Sequence, residues 1–285
     1  MRTQKVGVLE IDHDGLTGDL ERSSLLEFGD PYIEFNCGHP WRSCMVWTPG
    51  GDIGDGILAH YDATKPCRPT ANGRMLPYLR QVIERYFAVE HLLFARLVIM
   101  SNNVLVPHCD YFEFSDRPAA QRAAHRIHLP LTTSDDCLFM AGNIIYRMRV
   151  GEVWALDATE IHSAAVLSDL QRVHLALDFA DVADTAALFR FDSADSYGIP
   201  ESSTVTRPEL PATERNAILG LAKVINKDNM LDIFGIVIKR HFRSDAGADY
   251  VWETMKSIGR MADDPQIQPW IDKFYEHCVL GQYAV

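Results

Sequence analysis

The sequence predicts an α+β protein with a mainly β core, and three observations carry that prediction. Between residues 94 and 179, runs rich in Val, Ile, Leu and aromatics follow one another at 94–100, 103–107, 126–132, 136–140, 144–149, 152–157 and 171–179. Polar or Gly-containing breaks separate most of them, the pattern of a barrel or sandwich of short strands. Ahead of them, RMLPYLRQVIERYF (74–87) sets Leu76, Leu79, Val82, Ile83 and Tyr86 on one helical face, so an amphipathic helix packs there on something larger. Beyond about residue 200, helical spacing returns.

Taken in order, residues 1–73 mix short apolar runs with Gly, Pro and Asp, and WTPGGDIGDG (47–56) reads as a loop. The helix over 74–87 and the strand-rich stretch follow. IPESSTVTRPELPATE (199–214) reads as a linker into the tail, where Ile218, Leu221, Val224 and Ile225 share a face and a second apolar patch spans 230–242. Two parts are expected: a domain over 1–200 that carries the chemistry, and a helical region over 201–285 that caps the β core.

The chain has 285 residues, 47% of them hydrophobic and 23% charged, enough for one large domain with an appendage. A formal net charge of −12 argues against a nucleic-acid partner, because nothing would offset phosphate repulsion. The N-terminus has no apolar core of signal-peptide length, and the run Leu92–Met100 is interrupted by Arg96 and too short for a bilayer. The six cysteines (37, 44, 67, 109, 137 and 278) lack paired metal-finger spacing and read as free thiols in a reducing compartment. A cytoplasmic protein without a membrane partner is the expectation; oligomeric state leaves no trace in the sequence.

The chemistry begins in VPHCDYFEF (106–114). On a strand, the one-residue gap between His108 and Asp110 puts both side chains on the same face, where imidazole and carboxylate can share a metal ion. His162, in GEVWALDATEIHSAAV (151–166), is the candidate third ligand, at a polar turn between two apolar runs. Two histidines and one carboxylate leave about three positions open, as in non-haem Fe(II) oxygenases. A structural zinc site would be closed and Cys-rich, and a Ser hydrolase would need a G-x-S-x-G elbow that is missing. His128 and His174 are rival ligands. Thr159 and Ser163 flank His162 and read as turn residues.

Arg172 adds a further constraint. In QRVHLALDF (171–179), alternation sets Arg172, His174 and Ala176 on one face and Val173, Leu175 and Leu177 on the other. A guanidinium facing an apolar interior needs an anion. A dicarboxylate co-substrate would satisfy it through bidentate pairing, and so would an internal ion pair with Asp157 or Asp178.

The order H-x-D, His, then Arg ten residues later resembles the signature of Fe(II)/2-oxoglutarate-dependent dioxygenases. The wider text resembles the bacterial proline hydroxylases of the cis-3 and cis-4 type. The likeness runs through FNCGHPWRSCMVW, LPYLRQVIERYF, FARLVIMSNNVLVPHCDYFEF, HRIHLPL, RVGEVWALDATEIHSA and QRVHLALDF, which is most of the chain. It implies a double-stranded β-helix, a jelly-roll of the cupin kind, with flanking helices and a helical tail. It makes His108, Asp110 and His162 the iron ligands and Arg172 the partner of the distal carboxylate of 2-oxoglutarate. It further implies that O2 is consumed, that an unactivated C–H is hydroxylated, and that succinate and CO2 are released. Asp110 favours hydroxylation over halogenation, which requires a small residue there. Two departures bear on the substrate: Cys109 stands where these hydroxylases usually have Arg, and SDRPAAQRAAH (115–125) is longer than their connection.

The substrate class the resemblance implies is a free imino or amino acid, with L-proline or L-pipecolate first. An acyclic amino acid, a peptidyl substrate and a metal cupin without oxygenase activity are the alternatives. Alternation places Arg96, Val98 and Met100 on one face of FARLVIM, and Arg126 opens HRIHLPL in the pattern of QRVHLAL. Arg126 and Arg96 are therefore the candidate partners of a substrate carboxylate, with Val98 and Met100 as apolar wall; salt bridges to Glu113 or Asp116 are the competing assignment.

Overall fold

A computed structural model gives the architecture, and residues 1–110, 118–192 and 198–281 are described. The N-terminal third holds strand β1 (Gln4–Val8), helix α1 (His13–Ser23), strands β2 (Arg42–Pro49) and β3 (Cys67–Pro69), the single turn α2 (Ala71–Arg74) and helix α3 (Pro77–Tyr86). Eight strands follow: β4 (Leu92–Met100), β5 (Asn103–Val104), β6 (Ala123–Thr132), β7 (Cys137–Ala141), β8 (Ile144–Tyr146), β9 (Glu152–Leu156), β10 (His162–Val166) and β11 (Arg172–Ala180). The tail carries α4 (Ala212–Leu219), α5 (Met230–Arg243), α6 (Tyr250–Met261) and α7 (Ile267–Tyr275).

The strands form a seven-stranded sheet in the order β1-β9-β6-β11-β4-β2-β3 and a four-stranded sheet in the order β5-β10-β7-β8. From β4 to β11 the chain passes back and forth between the two sheets, with every pairing antiparallel. That is the winding of a double-stranded β-helix, extended by β1 on one edge of the larger sheet and by β2 and β3 on the other. The α+β jelly-roll expected from the sequence is therefore the observed fold.

Period-two alternation gives each sheet an outer and an inner face. Outer residues of the larger sheet, among them Leu97, Ile127, Leu129, Leu175 and Leu177, form one core with Leu79, Val82 and Ile83 of α3. Outer residues of the smaller sheet, Val104, Leu138, Met140 and Ala165, join the tail through Phe234, Val237, Trp252, Met255 and Ile271. Between the sheets lies a third cluster around Phe139, Tyr146 and Trp154. The jelly-roll is thus covered on both outer faces. Among the described residues no helix is long and apolar enough to cross a membrane.

Several local expectations change. Trp47, Thr48 and Pro49, expected in a loop, end β2, and the loop proper begins at Gly50. His162–Val166, expected only as an apolar run after a turn, is strand β10, one of the two inner strands of the smaller sheet. The stretch 199–214 is no free linker. Thr204 bridges to Tyr146, Val205 N–H donates to Ile145 O, and the Arg207 guanidinium donates to carbonyls of His241 and Asn143. In the tail, Val224 is 58% exposed rather than on the buried face, because the helix has already ended in a tighter turn over Gly220–Lys223. All six cysteines are free thiols.

Candidate active site

The smaller sheet positions the candidate metal ligands. β5 is only two residues long, and beyond it the chain runs alongside β10 through a bridge in which His108 and His162 exchange both backbone hydrogen bonds at 3.0 Å. Asp110 N–H donates to Ala158 O at 2.8 Å, which closes the turn before β10 against the same segment. The imidazoles of His108 and His162 thereby stand side by side, ring centroids 4.5 Å apart.

Each ring is oriented by its own chain. His108 Nδ1 lies 2.7 Å from Val106 O and His162 Nδ1 lies 2.9 Å from Glu160 O. A proton on Nδ1 donated to a carbonyl leaves the Nε2 lone pair for a metal. Both Nε2 atoms face the Asp110 carboxylate, at 3.5 Å for His108 and 3.9 Å for His162. The donor atoms of the three residues all lie within 4.8 Å of one another, a spacing that can hold one ion. Burial and the neighbouring His162 push the His108 imidazolium down to about 4, so the ring is neutral and able to ligate at neutral pH. Burial opposes ionisation of Asp110, yet Arg126, the two histidines and Arg96 together hold its carboxyl well below the usual range.

The larger sheet supplies cations to the same cavity, which has a volume of about 110 Å³. Arg96, Arg126 and Arg172 all line it, as alternation required. Arg172 is 1% exposed, sits 4.7 Å over the Phe139 ring, and has no hydrogen-bond partner at Nε or Nη1. Burial pulls its guanidinium down to about 10, so it stays charged at neutral pH. Neither Asp157 nor Asp178 pairs with it. Asp157 instead caps its own turn, accepting from Thr159 N–H at 3.1 Å and from Thr159 Oγ1 at 2.6 Å. A buried, charged guanidinium with unused donors facing a cavity has the chemistry to pair with a carboxylate.

Asp178 serves the other two arginines. It sits directly across the ladder from Arg126, accepts from Arg126 Nε at 2.7 Å, and lies 3.5 Å from Arg96. Arg126 also donates to Asp110. The acids expected to compete for these arginines, Glu113 and Asp116, lie outside the described residues, as does 115–117 of the longer connection. Arg96 keeps Nε and Nη1 without a hydrogen-bond partner, and its guanidinium stacks 5.6 Å from the Trp41 ring. Val98 is on the cavity wall, but Met100 is not. It lies opposite Arg172 across the ladder and is packed into the inner cluster with Phe139 and Trp154. Ser163 faces the cavity, while its hydroxyl donates to Leu105 O at 2.6 Å.

His128 and His174, the rival ligands, do not join the metal cluster. Their Nδ1 atoms are 3.3 Å apart, and burial first, then the arginines around them, hold both rings neutral. The aromatic wall was not read from the sequence. Tyr32, Phe35 and Trp41 line the cavity from the segment before β2. Asn36 holds that segment in place: its Oδ1 accepts from Trp41 N–H at 2.7 Å and from Asn103 Nδ2 at 2.6 Å. Three aromatics within ten residues of a Gly/Pro-containing stretch were the available signal.

Fold and donor set together define a jelly-roll protein with a two-histidine, one-carboxylate cluster inside the barrel. Comparison with known proteins narrows the class. A family described as Aspartyl/Asparaginyl beta-hydroxylase matches residues 14–181, and one described as L-proline 3-hydroxylase, C-terminal, matches residues 185–281. The chain is 30% identical to L-proline cis-4-hydroxylase of Rhizobium meliloti (strain 1021) over 268 residues, 94% of this chain and 92% of that protein. It is 30% identical to L-proline cis-3-hydroxylase 1 of a Streptomyces species over 270 residues, covering 94% and 91%. The chain belongs to the bacterial L-proline cis-hydroxylase family, as its motifs led us to expect. Among solved structures, a 2OG-Fe(II) oxygenase family oxidoreductase from Burkholderia pseudomallei aligns over 62% of this chain and 84% of its own, with 9% identity and a TM-score of 0.39. A prolyl-4-hydroxylase from Pseudomonas putida aligns over 61% and 89%, with 12% identity and a TM-score of 0.35.

Proposed function

We propose that the protein is an Fe(II)- and 2-oxoglutarate-dependent hydroxylase of a free imino or amino acid, L-proline or L-pipecolate first. The observation that carries this reading is the pairing, in one cavity, of the His108–Asp110–His162 cluster with a buried Arg172 whose Nε and Nη1 have no partner. The three ligands would hold iron, and Arg172 would grip the distal carboxylate of 2-oxoglutarate through its fork. With iron, 2-oxoglutarate and O2 bound, the centre would supply an oxidant for an unactivated C–H, with succinate and CO2 as co-products.

The remaining residues bind and orient. Arg96 is the better candidate for the substrate carboxylate, because two of its nitrogens have no hydrogen-bond partner while Arg126 is held by Asp178 and Asp110. Arg126 would then act by fixing Asp110 beside the histidines and by adding positive potential. Val98 and the aromatic wall exclude water around the substrate ring. Catalysis would reside in residues 1–200, with 201–285 as support.

A screen of free amino and imino acids for succinate formation, with iron and 2-oxoglutarate added and product NMR on hits, tests the proposal. An imino acid should give the fastest turnover, and His108→Ala or His162→Ala should abolish both turnover and metal binding in a folded protein. Full activity of either variant with excess iron would remove that residue from the site. Succinate formation by none of the amino acids would sink the substrate class.

A further inference from the structure

We propose that the C-terminal helices hold the metal-ligand segment in position, with Trp252 and the Cys278 carbonyl as the positioning groups. This rests on the metal site proposed above. Residues 105–110 run along the edge of the smaller sheet, where β5 is the outermost strand and is only two residues long. An edge leaves backbone donors and acceptors unpaired, and here the tail pairs those on either side of His108. The Trp252 indole, from α6, donates to Pro107 O at 3.2 Å. Cys109 N–H donates to Cys278 O at 2.9 Å. Cys278 lies in the π-helical turn Glu276–Leu280 that ends the described tail, and carbonyls at a helix C-terminus lack intrahelical partners. Its carbonyl is therefore available to the ligand segment.

A third contact reaches the ligand ring itself. Phe35 packs against His108, centroids 4.7 Å apart, and also against His277, at 5.8 Å with planes 21° apart. Pro107, His108 and Cys109 are thus each held by the tail, directly or through Phe35, and Asp110 follows within one residue. Hydrogen-bonded partners behind metal ligands set their orientation, and losing one costs about tenfold or more in metal affinity. Trp252 can lose its indole N–H and keep aromatic packing, since Phe234, Phe274 and Tyr275 surround it.

The test is Co(II) titration of the metal-free full chain, followed by visible absorption, alongside the melting temperature. Trp252→Phe should weaken Co(II) binding about tenfold, and His277→Ala, a change at a partly exposed site, should weaken it in the same direction. Ile258→Ala softens the same helical core without removing a hydrogen bond, and should lower the melting temperature while leaving Co(II) affinity unchanged. Wild-type affinity in both Trp252→Phe and His277→Ala overturns the proposal. So does an equal loss of affinity in Ile258→Ala at matched destabilisation, which would mean general loosening. If the parent protein itself does not bind Co(II), the metal site and this inference fall together; if it binds and only the variants behave as wild type, the metal site stands and the positioning role falls.

Discussion

The two faces of β11 are built from one nine-residue segment and obey different rules. Outward, Val173, Leu175, Leu177 and Phe179 fill the core under α3. Inward, Arg172, His174, Ala176 and Asp178 face the barrel, three of them charged or titratable and all four buried. Apolar burial stabilises a fold at roughly 25 cal/mol per Å², whereas a buried charge without a full set of partners costs stability. The outer face therefore keeps the strand in place, and the inner face departs from an apolar core as the binding role proposed for it requires. Stability and binding should separate cleanly along this strand.

The largest effect that would sharpen the contrast is on the outer face. Leu177 is fully buried between Ala95 and Ile127 across the two ladders. Leu177→Ala should lower unfolding stability by about 3 kcal/mol, the removed methyls plus the cavity they leave. Protein that remains folded at low temperature should bind 2-oxoglutarate as the parent does. Urea denaturation and co-substrate binding measured on the same sample check both halves. A large loss of affinity without a loss of stability would break the division between faces.

Arg172 should do the reverse. Arg172→Lys keeps the charge and loses the fork, so the 2-oxoglutarate affinity should fall by about 2 kcal/mol, roughly thirtyfold. Arg172→Met removes a buried charge with unused donors, so stability should hold or rise while co-substrate binding disappears. Calorimetric titration with 2-oxoglutarate and a thermal melt decide this. An Arg172→Met protein that melts well below the parent would mean that the guanidinium is structural, paired in a way its geometry does not suggest.

The alternation of β11 is also what made the site legible. A strand buried on both faces, with charged or titratable side chains at three of its four inner positions, announces which side chains point into the barrel, and Arg96, Arg126 and Arg172 all arrive there. Pairing could not be read the same way. Asp178 was one of two acids expected to compete for Arg172, yet six residues of strand separate them, about 20 Å. The register instead sets Asp178 opposite Arg126, 52 positions away in sequence. Local patterns do not encode register. Trp252 on Pro107, 145 residues apart, was beyond reach for the same reason. β10 was missed as a strand because its five residues open with His162 and Ser163, which read as the end of a turn.

The smallest predicted effect concerns His174 and pH. The ring is wholly buried, stacked on Phe139 at 5.4 Å, with Nε2 unpartnered, and burial followed by Arg172 and His128 holds its pKa well below 6.5. A histidine depressed in the folded state takes up its proton first in the unfolded chain. Its contribution is therefore intact above the unfolded value near 6.5, and is lost as pH falls toward the folded value. Between pH 7.5 and 5.5 one such group should cost about 1.4 kcal/mol. His174→Gln can still donate to or accept from His128 but does not titrate, so its stability should fall less than the parent's over that interval, by that amount. Urea midpoints at the two pH values measure the difference, and Leu177→Ala supplies the control, since an outer-face cavity should lower stability equally at both. An unchanged pH dependence in His174→Gln would mean that the ring titrates normally in the folded protein, and that the inner face is wetter than its burial implies.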